Sequence, residues 1–280
     1  MAKRKKMNKN ITYHLMILDR SGSMEPVRDV TISGLNEQLQ TIRKDQEKLK
    51  LQEQRVCFVT FDNEIDHTSL WDKNIKDIND FTRDDYVPGA TTALRDAVGI
   101  GVTKLKEEIR KQNKKMGKIK TGGHFFENMD LSETDEPELL PKINAVVTIF
   151  TDGEENASHE YSGKQISDLI KEVKDTGEWT VSFLGCGDNV FEVAKSMGIS
   201  QGDTLSYAPG QDGTQNAFHL MATGRSMRAT SYENTYTSGS LDTSSINTGN
   251  NFFNGSNTQQ PDLNLQDKTK TKEEETKEEK

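Results

Sequence analysis

The chain is poor in the residues that build cores and crosslinks. Only 32% of its 280 residues are hydrophobic and 7% aromatic, with two cysteines and six prolines. Counting glycine as apolar raises the share to about 40%, below the roughly 45–50% of globular chains. Length alone allows roughly two domains of about 100–200 residues. Composition leaves material for one. The deficit is localised: from Ala229 to Lys280 there are nine hydrophobic residues among 52, a proportion that predicts disorder. The remainder suffices for one domain of about 200 residues.

Other absences exclude whole classes. No apolar run approaches the ~18–20 residues of a membrane helix. The N-terminus carries Lys3, Arg4, Lys5, Lys6 and Lys9 but no apolar stretch of signal-peptide length. Cys57 and Cys186 are too few for a disulfide scaffold; both lie in apolar strand-like runs and read as buried free thiols. A cytoplasmic protein without membrane contact is expected. The net charge is −9, although the first ten residues are basic, so the middle of the chain is acidic. An acidic domain does not favour phosphate-backbone binding, and no specific nucleic-acid binding is expected.

What is present alternates between two periods. Thr12–Leu18, Arg55–Phe61, Ala145–Thr151 and Trp179–Leu184 are near-continuous apolar runs, as in buried strands, and Leu205–Tyr207 is a weaker one. Ile65–Trp71 reads as an antiparallel neighbour of Arg55–Phe61. Between them lie helical patterns: a stripe from Val27 to Ile42, Ala93–Lys111, Gln165–Lys174, Val190–Met197 and Asn216–Met227. Strands separated by helices imply βαβ units. The expected fold class is α/β: a three-layer α/β/α, doubly wound, mostly parallel sheet with one antiparallel edge strand, Rossmann-like. The expected organisation is a basic flexible N-terminus (1–11), the α/β domain (12–208) with an inserted loop (113–142), a partly helical extension (209–236) and a disordered polar and charged tail (237–280).

Such sheets place ligands beyond the carboxyl ends of their strands. Three segments stand there or at a helix start: Asp19-Arg-Ser-Gly-Ser23, Gly89-Ala-Thr-Thr-Ala-Leu94 and Thr151-Asp-Gly-Glu-Glu155. They offer two carboxylates and several hydroxyls beside glycine, with no Cys or His nearby in sequence. Hard oxygen donors suit Mg²⁺, Mn²⁺ or Ca²⁺ rather than zinc. Asp19, Ser21 and Ser23 alternate toward one side of a tight loop. Asp152 ends a strand expected beside the first, and Thr92 arrives from a third loop. Neutral hydroxyl ligands leave a cation with attraction for one more anion.

Together Asp19-x-Ser21-x-Ser23, Thr92 and Asp152-Gly153 resemble the metal-ion-dependent adhesion site of the von Willebrand factor type A (VWA) domain. The wording LDRSGSM, GATTALRDA and FTDGEENAS is similar to cytoplasmic VWA proteins of bacteria and phages, over some 70% of the chain. The resemblance implies that Ser21, Ser23 and Thr92 bind the metal directly, and Asp19 and Asp152 directly or through water. Its Thr-Ala-Leu register favours Thr92 over Thr91. It also implies a Mg²⁺-dependent protein–protein interaction module, with a partner's Asp or Glu completing the coordination. Glu25, Glu154 and Glu155 flank the site. The long connection 113–142 departs from the family's pattern.

Two further readings compete. A metal-dependent hydrolase or phosphatase would need a second acid where Ser21 stands, and no general base is placed by the sequence, so no enzyme is expected. A VWA subunit of an AAA ATPase, kinase or stress-response assembly would take its motor from elsewhere, since the chain has no phosphate-cradling Gly-rich motif followed by Lys-Ser/Thr. The five histidines are scattered, and Cys186 has no base partner in sequence.

Overall fold

A computed structural model describes residues 9–116, 141–153, 155–237 and 252–253. The basic head before residue 9, most of the connection 113–142, Glu154 and nearly all of the tail lie outside the described residues.

The fold is a three-layer α/β/α sandwich around one mostly parallel sheet. Its strands are β1 (Asn10–Asp19), β2 (Gln52–Phe61), β3 (Ile65–Asp66), β4 (Lys73–Asn74), β5 (Ile143–Thr151), β6 (Trp179–Cys186) and β7 (Thr204–Tyr207). The order is β3-β2-β1-β5-β6-β7, with β4 also on β2. β1 pairs in parallel with β2 on one side and β5 on the other, Leu18 lying opposite Thr60 and Phe150. The antiparallel edge is made of two two-residue pieces rather than one run from Ile65 to Trp71. The reason is local: the Asp66 carboxylate accepts the amides of Thr68 and Ser69 and turns the chain out of the sheet.

Alternation along the central strands sorts side chains to two cores. Tyr13, Leu15 and Ile17 face α2 (Leu94–Lys115), α3 (Gly163–Lys174) and α4 (Val190–Ser196). Met16 and Leu18 face the other side, where α1 (Arg28–Lys48) and α5 (Gln211–Thr237) pack. A 3-10 turn over Gly22–Val27 precedes α1. Ser162 and Gln165 form a reciprocal capping box that starts α3. Cys57 is buried, but Cys186 at the end of β6 is only half-buried, because the chain leaves the sheet there; both are free.

α5 is longer than its apolar stripe. Its inward face carries the fully buried Arg225 and Tyr232, which break the hydrophobic period that marks a helix in sequence. Arg225 Nη2 donates to Thr148 Oγ1 at 2.5 Å, and Gln52 Nε2 donates to the Ala229 carbonyl at 2.8 Å. His14 meets Gln54 Oε1 at 2.7 Å on the same face. Burial, with the nearby Arg225 charge, holds His14 down to about 3, and burial lowers Arg225 to about 9. These bonds fix the register of α5 on the sheet more sharply than apolar contact alone would.

Among the described residues, no helix is long and apolar enough to cross a membrane.

Candidate metal centre

The chain leaves β1 toward β2 on one side, then passes across β1 to β5 on the other. A crevice therefore opens between the carboxyl ends of β1 and β5, the usual ligand position in such sheets. Asp19 ends β1 and Asp152 follows β5 directly. The structure brings all five sequence-predicted residues to this crevice.

Gly153 marks the point where they converge. A Cβ placed on it would lie 3.1 Å from Thr92 Oγ1, 3.5 Å from Asp19 Oδ2 and 3.6 Å from Ser21 Oγ. Three oxygens from the loop after β1 and the segment before α2 thus surround one small space beside the glycine that follows Asp152. Ser21 Oγ and Ser23 Oγ are 3.0 Å apart, and Ser23 Oγ donates to Asp152 Oδ1 at 2.6 Å. Of the two adjacent threonines, Thr92 is buried and turned to the cluster while Thr91 is exposed. Asp19 and Ser21 are buried, whereas Ser23 is exposed and Asp152 half-exposed. The cluster therefore has a closed floor and an open mouth.

Asp19 is held from every side. Its Oδ1 accepts the Ser21 amide at 2.7 Å and its Oδ2 the Thr151 hydroxyl at 2.5 Å. Tyr86 OH donates to the Asp19 carbonyl at 2.6 Å. Burial pushes the Asp19 carboxyl up to about 6, against the lowering by its hydroxyl and amide donors, and Asp152 adds like charge. Asp152 is also raised by burial. Two acids strained in this way, beside three hydroxyls, form a donor set that suits a hard divalent cation. The residues fit such an ion.

The loops are tied together from behind. Gly22 N donates to the Ala90 carbonyl at 3.1 Å and Gly89 N to the Arg20 carbonyl at 2.7 Å. Asn156 Oδ1 accepts the Thr92 amide at 2.9 Å, while Asn156 N and Ala157 N both donate to the Thr92 carbonyl at 3.1 Å. Asp96, in the first turn of α2, accepts the amides of His159, Glu160 and Tyr161 at 2.7, 3.0 and 2.8 Å. Glu155 accepts the Arg95 amide at 2.8 Å and the Ser158 hydroxyl at 2.7 Å. The segment carrying Asp152 is thereby clamped to the segment carrying Thr92. Glu155 is a brace rather than a free charge at the rim.

Thr151, Tyr86, Asp96 and Asn156 were not singled out by sequence reasoning. Asp96 lay in the quoted GATTALRDA stretch, and an acid in the first turn of a helix reads as a dipole partner until a second loop is seen on it. Asp96→Ala leaves three amides without an acceptor, at a cost of about 1–3 kcal/mol. For a divalent cation held by the cluster, the same change is expected to weaken binding about tenfold, as loss of outer-shell support does. Calorimetric titration well below the variant's melting temperature checks this: a purely structural role for Asp96 would leave the affinity unchanged.

No family model matches the chain, and no curated protein matches it in sequence. Solved structures do resemble it. Proximal thread matrix protein 1 from the mussel byssus is similar with a TM-score of 0.48 and 13% identity, over 78% of this chain and 46% of that one. The same mussel protein with a zinc-occupied MIDAS motif gives a TM-score of 0.43 and 12% identity, over 76% and 46%. The SpRpn10 VWA domain gives 0.42 and 10%, over 73% and 92%. The chain spans less than half the length of the mussel protein. These are likenesses of chain path, and the site is read from this chain's own residues.

Proposed function

We propose that the chain is a Mg²⁺-dependent protein-binding module of the VWA type. The observation that carries this is the convergence of Asp19, Ser21 and Thr92 oxygens on the space beside Gly153, with Ser23 and Asp152 at its mouth. Asp19, Ser21, Ser23, Thr92 and Asp152 would hold the ion. A divalent cation bound there supplies an electrophilic point for an anionic side chain of another protein. Ser23 and Asp152 face outward, so the approach is from solvent, and an Asp or Glu on the partner is the matching group. Asp19 keeps its shape through Thr151, Ser21 and Tyr86, so the floor is preorganised for binding.

The role is binding rather than catalysis, since Ser21 stands where a metal-assisted hydrolase would place a second acid. A cytoplasmic module working within a larger assembly accords with this reading. Affinity capture of the full chain in Mg²⁺ and in excess EDTA tests it, with Asp152→Ala in parallel. Partners are expected in Mg²⁺ alone and only with the wild-type chain. The same proteins retained in EDTA, or by the variant, would overturn it.

A further inference from the structure

Only two aromatic residues follow α5 in the sequence, and they are adjacent: Phe252 and Phe253. Both come back to the domain, and each is only 4% exposed. They join the core beneath α1 and α5. Their rings meet edge to face, with centroids 4.9 Å apart and planes at 77°, a favoured aromatic geometry.

The surface that receives them is shaped for them. The Phe252 ring lies against Gly224 on α5: a Cβ there would sit 2.6 Å from Phe252 Cε1. Glycine in mid-helix is unfavourable relative to alanine, so its presence at this contact is paid for by the ring it admits. Two successive backbone amides are also read. Phe252 N donates to Asp203 Oδ1 at 3.2 Å and Phe253 N to the Gly202 carbonyl at 3.3 Å. Asp203 is itself fully buried and fixed, its Oδ2 accepting from Lys174 Nζ at 2.8 Å and Ser200 Oγ at 2.9 Å. A ring slot floored by glycine, a second ring position and two aligned acceptors amount to a recognition site.

We propose that the cleft between Gly224 of α5 and the turn Gln201–Asp203 is a binding site for two consecutive phenylalanines, and that its occupant is the chain's own Phe252–Phe253. The required ligand is an aromatic dipeptide with both amides free, so proline at either position is excluded. Fourteen residues (238–251) separate the pair from the end of α5 in the sequence. Being part of the same chain gives the pair a high effective concentration, so a free peptide competes poorly with it. This inference does not depend on the metal site.

The test uses the full chain carrying Phe252→Ala and Phe253→Ala, which empties the cleft, and a labelled peptide of residues 247–257 followed by fluorescence anisotropy. The peptide is expected to bind the double variant saturably, the wild-type chain much more weakly, and to lose binding when both its phenylalanines are alanine. Adding Gly224→Ala to the protein, a change that favours the helix, is expected to weaken binding about tenfold through the Cβ clash. No binding to the folded double variant, or binding indifferent to the peptide's phenylalanines or to Gly224→Ala, would overturn the proposal. A second measurement stands apart from that variant's folding. In the chain carrying Gly224→Ala alone, hydrogen exchange at the Phe252 and Phe253 amides is expected to accelerate about tenfold. Unchanged exchange there would also overturn it.

Discussion

Asp152→Ala is expected to weaken Mg²⁺ and Mn²⁺ binding at least about a hundredfold while leaving the apo fold as stable as before. The two halves of that expectation have separate causes. Among the described residues Asp152 contributes one of two carboxylates in the cluster, and affinity for hard cations follows ligand charge. Its contribution to the fold is small. It is half-exposed, its carboxylate accepts the hydroxyl of the exposed Ser23, and burial already disfavours its charged form. Asp19 is the opposite case: removing it would strand the Ser21 amide and the Thr151 hydroxyl, so Asp19→Ala would mix binding with stability. Thermal melts give the cleanest readout. At a cation concentration of about 100 Kd the wild-type chain gains about 2.7 kcal/mol, whereas Asp152→Ala gains no more than about 0.4 kcal/mol and matches wild type in EDTA. A variant still stabilised by Mg²⁺ as wild type is would remove Asp152 from the ligand set.

The two periods of the sequence made the sheet and most helices legible, because a buried parallel strand leaves a continuous apolar run. Legibility failed where side chains override the pattern. Asp66 ends β3 after two residues by capturing two amides, which a run of strand-like residues does not announce. α5 extends from residue 211 to 237 with Arg225 bonded to Thr148 and Tyr232 to Thr180 on its inward face, and buried polar residues look like exposed ones in sequence. The same holds at the site. Asp19, Ser21, Ser23, Thr92 and Asp152 stood out because their spacing is tied to strand ends. The residues that brace them are visible only once two loops distant in sequence are seen to meet, as Asp96 meets the amides of residues 159–161.

Phe218→Ala is expected to cost the largest stability loss of any single change considered, about 3–5 kcal/mol. Phe218 is fully buried at the centre of the α5 contact. Its ring stacks on Phe150 with centroids 4.5 Å apart, and Phe150 stacks in turn on Tyr207 at 5.1 Å. α1 has yielded to admit it: a Cβ on Gly34 would lie 2.3 Å from Phe218 Cγ. Truncation thus removes an aromatic contact and leaves a cavity walled by a sheet, α1 and α5, none of which can close it without breaking the polar bonds that fix α5. A domain's whole stability is about 5–15 kcal/mol, so the loss is a large fraction of it. Denaturant titration in EDTA measures the change without any contribution from bound cation. Gly34→Ala approaches the same contact from the other side and is expected to destabilise by overpacking, about 1–3 kcal/mol. If α5 were an appendage to a domain complete without it, both variants would unfold with the wild-type midpoint. A loss of several kcal/mol for Phe218→Ala makes α5 the second outer-layer helix over that face of the sheet.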